Sequence, residues 1–122
     1  MLIETYFLVP IREDKRVGNG KRHKVAKWKK LQDDLYKQFR GQTRGANIHY
    51  ELGLAEGDYD DMGTRVTDKC RKYIVAMDPE RLDEIRDFLK KVADDFKQEC
   101  IYFNHHGGCV EFISGTLANG KE

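Results

Sequence analysis

An α+β sandwich, with two helices on one face of a small antiparallel sheet, is predicted by three features of the 122-residue sequence. Two segments repeat apolar residues at three- and four-residue spacing, the period of a helix with one buried side. Short alternating segments of strand character stand before, between and after them. The length supports one compact domain and not two.

The elements follow in order. Residues 2–9 (LIETYFLV) alternate as a strand and end at Pro10, which cannot donate to a ladder. Ile3, Phe7 and Val9 are expected to face the core, with Glu4 and Tyr6 on the other side. The start lacks a basic n-region and carries Glu4, so it reads as a strand rather than a signal peptide. Residues 11–22 form a polar loop containing the turn signal Gly18-Asn19-Gly20. From His23 to Phe39, Val25, Trp28, Leu31, Leu35 and Phe39 mark one helix face, and Gly41 stands where a C-terminal glycine belongs. A second strand over Ala46–Leu52 alternates Ile48, Tyr50 and Leu52 against Asn47, His49 and Glu51.

Residues 53–69 are acidic and turn-rich, and read as a hairpin extension folded at Asp61-Met62-Gly63. Cys70–Met77 is the third strand. Asp78 is a good N-cap, with Pro79 at the first helical position and Glu80 in the first turn. Leu82, Ile85, Phe88, Leu89, Val92, Ala93 and Phe96 then form a wide apolar stripe on the second helix. The polar turn Asn104–Gly108 joins the strand Cys100–Phe103 to a short final strand, Cys109–Ile113. Residues 1–113 make a single domain, followed by a frayed tail, 114–122. This order is the ferredoxin-like split βαβ (βαββαβ) arrangement with one short extra strand. Its sheet has an uncovered face, to which Leu2, Tyr6 and Leu8 contribute, so the chain is expected to be a homo-oligomer, most simply a dimer.

Composition narrows the function classes. Charged residues are 35% of the chain and the hydrophobic set 39%, and no run of about 20 apolar residues exists, so no membrane role is expected. Three cysteines without paired spacing argue against a disulfide framework and for the reducing cytoplasm. The net charge of +1 conceals a polarised chain: residues 1–30 carry +6 and the remainder −5. That asymmetry suits an anionic partner at one end, or unlike ends pairing between subunits.

Strand alternation groups Glu4, Tyr6, His49, Glu51 and Tyr102 on the face opposite the helices, with Glu111 joining them if Val110 and Phe112 point inward. Carboxylates, a histidine and tyrosines packed together have the residue types for acid–base work or for orienting a polar ligand. The residues expected to do chemistry are Glu51, His49 and Tyr6, with Glu4, Tyr102 and Glu111 as ligand contacts; a plain polar sheet face is the simpler reading. Lys21, Arg22 and Lys24 follow a glycine loop and lead into a helix, where backbone N–H groups can hold a phosphate. The G-x-x-x-x-G-K-[ST] spacing is absent, and a solvated basic loop is the plainer alternative. Nucleic acid is a further possible partner for residues 15–30, although that stretch lacks aromatics that stack on bases.

Three other strings point to simpler roles. His105-His106-Gly107-Gly108-Cys109 lacks the spacing of a zinc site, so a hairpin turn with exposed imidazoles is expected and no metal. Asp58-Tyr59-Asp60-Asp61-Met62-Gly63 opens like a calcium loop but places Met62 and Lys69 where oxygen ligands are needed. The cysteines sit among apolar neighbours, as buried inert thiols do.

The opening Glu4-Thr5-Tyr6-Phe7, the helix holding Trp28, and the blocks Phe96-Lys97-Gln98-Glu99-Cys100-Ile101 and Val110-Glu111-Phe112 resemble a group of small bacterial proteins of unassigned function. That likeness spans residues 2–113 and implies the ferredoxin-like fold. Tyr6-Phe7-Leu8-Val9 and Gln98-Glu99-Cys100-Ile101 are more distantly similar to the phage S-adenosylmethionine lyases. Those enzymes are oligomeric and bind their substrate between subunits, which would make the face with Tyr6, His49, Glu51 and Tyr102 the pocket. The resemblance carries no catalytic residue across.

The expected function is binding of a small polar or anionic, nucleotide-like ligand on the open sheet face or at a subunit interface, with no cofactor. The alternatives are a lyase acting on S-adenosylmethionine and a nucleic-acid-binding module using residues 15–30.

Overall fold

The computed structural model describes residues 1–13, 20–39, 47–61 and 64–116. Its elements are β1 (Ile3–Pro10), α1 (Val25–Phe39), β2 (Asn47–Asp61), β3 (Thr64–Met77), a 3-10 turn (Pro79–Arg81), α2 (Leu82–Asp95), β4 (Cys100–His105) and β5 (Cys109–Ser114). The protein is a mixed α+β fold: one antiparallel sheet in the order β2-β3-β1-β4-β5, with both helices contributing to a single core.

Period decides what lies inside. Along β1, Thr5, Phe7 and Val9 are buried, and the residues between them are less so. Tyr73, Val75 and Met77 of β3 and Ile101 and Phe103 of β4 continue that buried surface. Trp28, Leu31, Leu35 and Phe39 of α1 and Ile85, Phe88, Leu89 and Val92 of α2 cover it. Phe39 meets Phe88 edge-on, with ring centroids 5.6 Å apart, and Trp28 lies 4.9 Å from Phe96. The one fully buried polar side chain in β1, Thr5, donates to the Val75 carbonyl at 2.8 Å, so its hydroxyl is not stranded.

Element ends have local causes. The Asp78 carboxylate accepts from the Glu80 N–H at 3.0 Å, and Pro79 follows; a 3-10 turn precedes α2 proper. The helix α2 stops in a Schellman arrangement. Gln98 N–H reaches Ala93 O at 2.8 Å, and Lys97 N–H reaches Asp94 O at 3.2 Å. Lys97 occupies the left-handed position, φ 52°, that glycine ordinarily fills. The buried Gln98 amide then donates to the Arg12 carbonyl, 2.8 Å, tying this helix end to the base of the basic loop.

The acidic segment is strand rather than turn over most of its length. β2 and β3 pair from Asn47↔Ala76 to Asp61↔Thr64, with an irregularity between Glu51 and Leu54. The hairpin expected at residues 61–63 agrees with this pairing, while Met62 and Gly63 themselves, like Gly41, Gly18 and Asn19, lie outside the described residues. At the other end of the chain Ser114 closes β5, and the Thr116 hydroxyl donates to Asp94 at 2.6 Å. Residues 117–122 are outside the described set. No helix among the described residues is long and apolar enough to cross a membrane.

Candidate functional site

The face of the sheet turned away from the helices holds the sequence-predicted tyrosines. Tyr6 stands between Ile74 of β3 and Asn104 of β4, and Leu8 between Lys72 and Tyr102. Because β4 is the immediate neighbour of β1, Tyr6 and Tyr102 are diagonal partners with ring centroids 5.9 Å apart. The Lys72 ammonium lies 4.3 Å from the Tyr6 ring centroid, and the Asn104 amide donates to the Tyr102 hydroxyl at 3.4 Å.

These contacts make the two phenols unequal. Tyr102 is shifted below its ordinary value of 10.0 because its oxygen accepts hydrogen bonds from Tyr6 and Asn104, with Lys72 adding positive charge. Tyr6 is shifted upward because its proton is held in the bond to Tyr102. The pair therefore offers two aromatic rings joined through their hydroxyls, with Lys72 beside the Tyr6 ring. Phe112 stands edge-on to Tyr102 at 5.7 Å and is 65% exposed.

Beside Tyr6 lies a depression of about 450 Å³ lined by Ile3, Glu4, Tyr6, Asn104, His106 and Gly107. It joins two predicted site residues, Glu4 and Tyr6, to two that the sequence reading did not assign, Asn104 and His106. A larger crease of about 680 Å³ separates α1 from α2. Two of its four lysines have near partners: Lys30 contacts Asp34 at 2.9 Å and Asp95 at 3.4 Å, and Lys27 donates to the Asp95 carbonyl. No predicted site residue lines it.

The other predicted residues are distributed as follows. His49 is in register with Ile74 and Glu51 with Lys72, so their backbones continue the Tyr6 and Leu8 rows two strands away, roughly 10 Å across the sheet. Lys21, Arg22 and Lys24 are exposed at the opposite end of β1. Six residues of strand, about 20 Å, separate Glu4 from Pro10, beyond which the basic loop is pinched by Arg12↔Arg22 pairing and a 2.7 Å bond from Glu13 N–H to Lys21 O. Among the described residues, the structure does not bring Lys21, Arg22 and Lys24 to the tyrosines.

Glu111 is a correction. The β4–β5 register pairs Phe103 with Glu111 and Ile101 with Ile113, which sets Glu111 on the helix side and turns Val110 and Phe112 outward. There Arg86 of α2 grips the carboxylate through both nitrogens, Nε–Oε1 at 2.9 Å and Nη2–Oε2 at 2.8 Å. His105 Nε2 is 2.8 Å from the same Oε2. With these partners Glu111 is held down at about 2, chiefly by the Arg86 hydrogen bonds and secondarily by His105.

The histidine turn is corrected too. Only His106 is exposed; His105 is buried on the core side. Their Nδ1 atoms are 2.7 Å apart. His106 and Gly107 have φ of 52° and 75°, and Gly108 N–H closes the turn on the His105 carbonyl at 3.2 Å. Among the described residues no three His, Cys, Asp or Glu side chains group as a metal site. The cysteines are not uniformly buried: Cys70 is, Cys100 is half-buried and Cys109 is exposed, and none forms a disulfide.

No family model and no curated protein matches the sequence. The chain is similar in structure to a phage SAM lyase. A structure of that enzyme in complex with S-methyl-5'-thioadenosine aligns over 93% of this chain and 90% of its own, with a TM-score of 0.60 and 16% identity. A phage SAM lyase in its apo state aligns over 93% and 89%, with a TM-score of 0.51 and 19% identity. At these identities the likeness is one of fold.

Proposed function

We propose that this chain binds an adenosyl sulfonium, or the thioether derived from it, in the open-face depression and cleaves S-adenosylmethionine. The observation that carries the reading is the Tyr6–Tyr102 pair, with Lys72 beside it, next to a depression that Tyr6 and Asn104 line on the uncovered face of a fold shared with a phage SAM lyase. Aromatic faces and the Glu4 carboxylate suit a cationic sulfonium. The reaction asks little more of the protein than orientation and exclusion of water. The substrate's own carboxylate oxygen forms a bond to the γ-carbon, and the carbon–sulfur bond breaks with its electron pair leaving on sulfur. Homoserine lactone and S-methyl-5'-thioadenosine result, with no proton gained or lost.

The same reading includes the ferredoxin-like assignment, supported by the order β2-β3-β1-β4 with β5 added at the edge. It also includes a second copy over the open face, supported by Phe112 and Val110, 65% and 44% exposed there. A cytoplasmic location belongs to it, in keeping with the exposed Cys109 thiol.

Incubation with S-adenosylmethionine, followed by mass-spectrometric quantification of both products, tests the activity. Tyr6→Ala is expected to reduce product formation by at least about tenfold, the loss of one oriented aromatic contact to a cation. An unconsumed substrate, together with no stabilisation by S-methyl-5'-thioadenosine, would defeat the reading.

A further inference from the structure

We propose that Arg86, Glu111 and His105 form a positioning relay that fixes His106 as a hydrogen-bond acceptor at the rim of the open-face depression, where it takes a ribose hydroxyl of a nucleoside ligand. The nucleoside part rests on the proposed function; the relay does not.

The proton directions follow from atom types. A carboxylate gripped by Arg86 only accepts, so the nitrogen facing Glu111, His105 Nε2 at 2.8 Å, carries a hydrogen. In the neutral form of the His105 ring Nδ1 is then bare. The 2.7 Å contact between the two Nδ1 atoms needs one proton, which His106 supplies. That leaves His106 Nε2 bare, on a side chain that lines the depression. Asp83, 2.8 Å from Arg86 Nη1, anchors the far end.

The other polar groups of the depression are biased in the same sense. Glu4 is a carboxylate. Tyr6 shares a hydrogen bond with Tyr102, and its hydroxyl oxygen keeps lone pairs that accept. The Asn104 amide nitrogen also donates to Tyr102, which leaves its carbonyl oxygen. An acceptor-rich hollow selects a ligand with adjacent donors, and the vicinal hydroxyls of ribose match it; an acidic side chain on ribose hydroxyls is a recurrent solution. His106 also sits at φ 52° directly before two glycines that would take that conformation without strain. A side chain kept there despite the alternative is in keeping with its use.

Nitrogen-15 NMR of histidine-labelled protein reads the relay directly, without ligand. His106 is expected as the Nδ1–H tautomer in the wild type, and as the Nε2–H tautomer in His105→Phe; Glu111→Gln is the second, milder variant and should mix the two forms. A wild-type His106 in the Nε2–H form overturns the relay, whatever the lyase assay gives. Calorimetry with S-methyl-5'-thioadenosine and its 2',3'-dideoxy analogue tests the occupant. His106→Ala is expected to weaken the first about five- to tenfold, as loss of one hydrogen bond does, and to leave the second unchanged. Equal losses for both compounds overturn the ribose contact. Wild-type protein that ignores both compounds overturns the nucleoside reading, and the tautomer then decides the relay alone.

Discussion

Replacing Glu111 by Gln removes the charge from a carboxylate that receives Arg86 twice and His105 once. The expected cost can be worked by two routes. Arg86 and Glu111 are 31% and 32% exposed, between the surface regime, about 0–1 kcal/mol, and the buried one, where breaking a pair costs about 3–5 kcal/mol. The shift of Glu111 from 4.5 to about 2 sets an upper bound of about 3.4 kcal/mol, which solvent screening at this exposure brings nearer 2. Both routes converge on about 2 kcal/mol, or a fall in Tm of about 6–10 °C for a domain of this size. The sign with pH is fixed as well. A carboxylate whose folded-state value is depressed stabilises the fold above its unfolded value of 4.5 and loses that contribution as pH falls toward about 2. Urea unfolding followed by Trp28 fluorescence at pH 7, 4 and 2.5 should therefore show a gap between wild type and Glu111→Gln that closes in acid. Equal midpoints at pH 7, or a gap no smaller at pH 2.5 than at pH 7, would contradict the ion-pair account. Arg86→Met completes a double-mutant cycle, in which the two losses should not add.

Three further outcomes are expected. In Gly20→Ala the new Cβ would collide with the Glu13 carbonyl, so the pinch of the basic loop must open, at a cost of about 1–3 kcal/mol in denaturant unfolding; an unchanged midpoint would mean the pinch contributes nothing. Tyr6→Phe deletes the donor to Tyr102, whose deprotonation should move up toward 10.0 when followed by site-resolved carbon NMR; an unmoved Tyr102 would contradict the phenol pair. Asp78→Ala removes the cap on the Glu80 N–H and should cost about 1 kcal/mol, read as a lower urea midpoint.

Much of the fold was legible because its cues are local. The stripes of α1 and α2, the alternation of β1 and the Asp78-Pro79 start need only spacing to be recognised, and the structure has each where the spacing puts it, except that Val25, in the first turn of α1, is exposed rather than part of the buried stripe. The Lys30–Asp34 and Lys29–Asp33 pairs follow from the same period. What failed was set from a distance. Glu111 reaches the open face only if Val110 and Phe112 point inward, yet the β4–β5 register turns them outward, and Arg86, 25 residues from Glu111, grips the carboxylate on the helix side. The stop of α2 was hidden because Lys97, not glycine, takes the left-handed position. Strand alternation places Tyr6 and Tyr102 on one face, but their contact depends on β4 lying next to β1, which no spacing in the chain encodes. His106 was noticed as half of a metal string; its partner in the structure is His105, and through it Glu111.

The two sides of the sheet differ in how well they obey the rules that build a domain. On the helix side alternation and packing agree and most buried polar groups are satisfied, His23 Nδ1 and Arg81 Nη1 excepted: Thr5 has the Val75 carbonyl, Gln98 the Arg12 carbonyl, and Glu111 its arginine and histidine. On the other side Phe112 faces solvent, a lysine lies over a tyrosine ring, two phenols share one hydrogen bond and a histidine adopts a glycine conformation. Of these, the exposed Phe112 ring and the left-handed His106 carry a cost, and they fall on β5 and the turn joining β4 to β5. Departures from local consistency that gather in one place mark where a chain has been shaped for something other than its own stability. The Arg86–Glu111–His105 contact is the exception that links the two sides, since a salt bridge on the satisfied face ends at a histidine on the rim of the unsatisfied one.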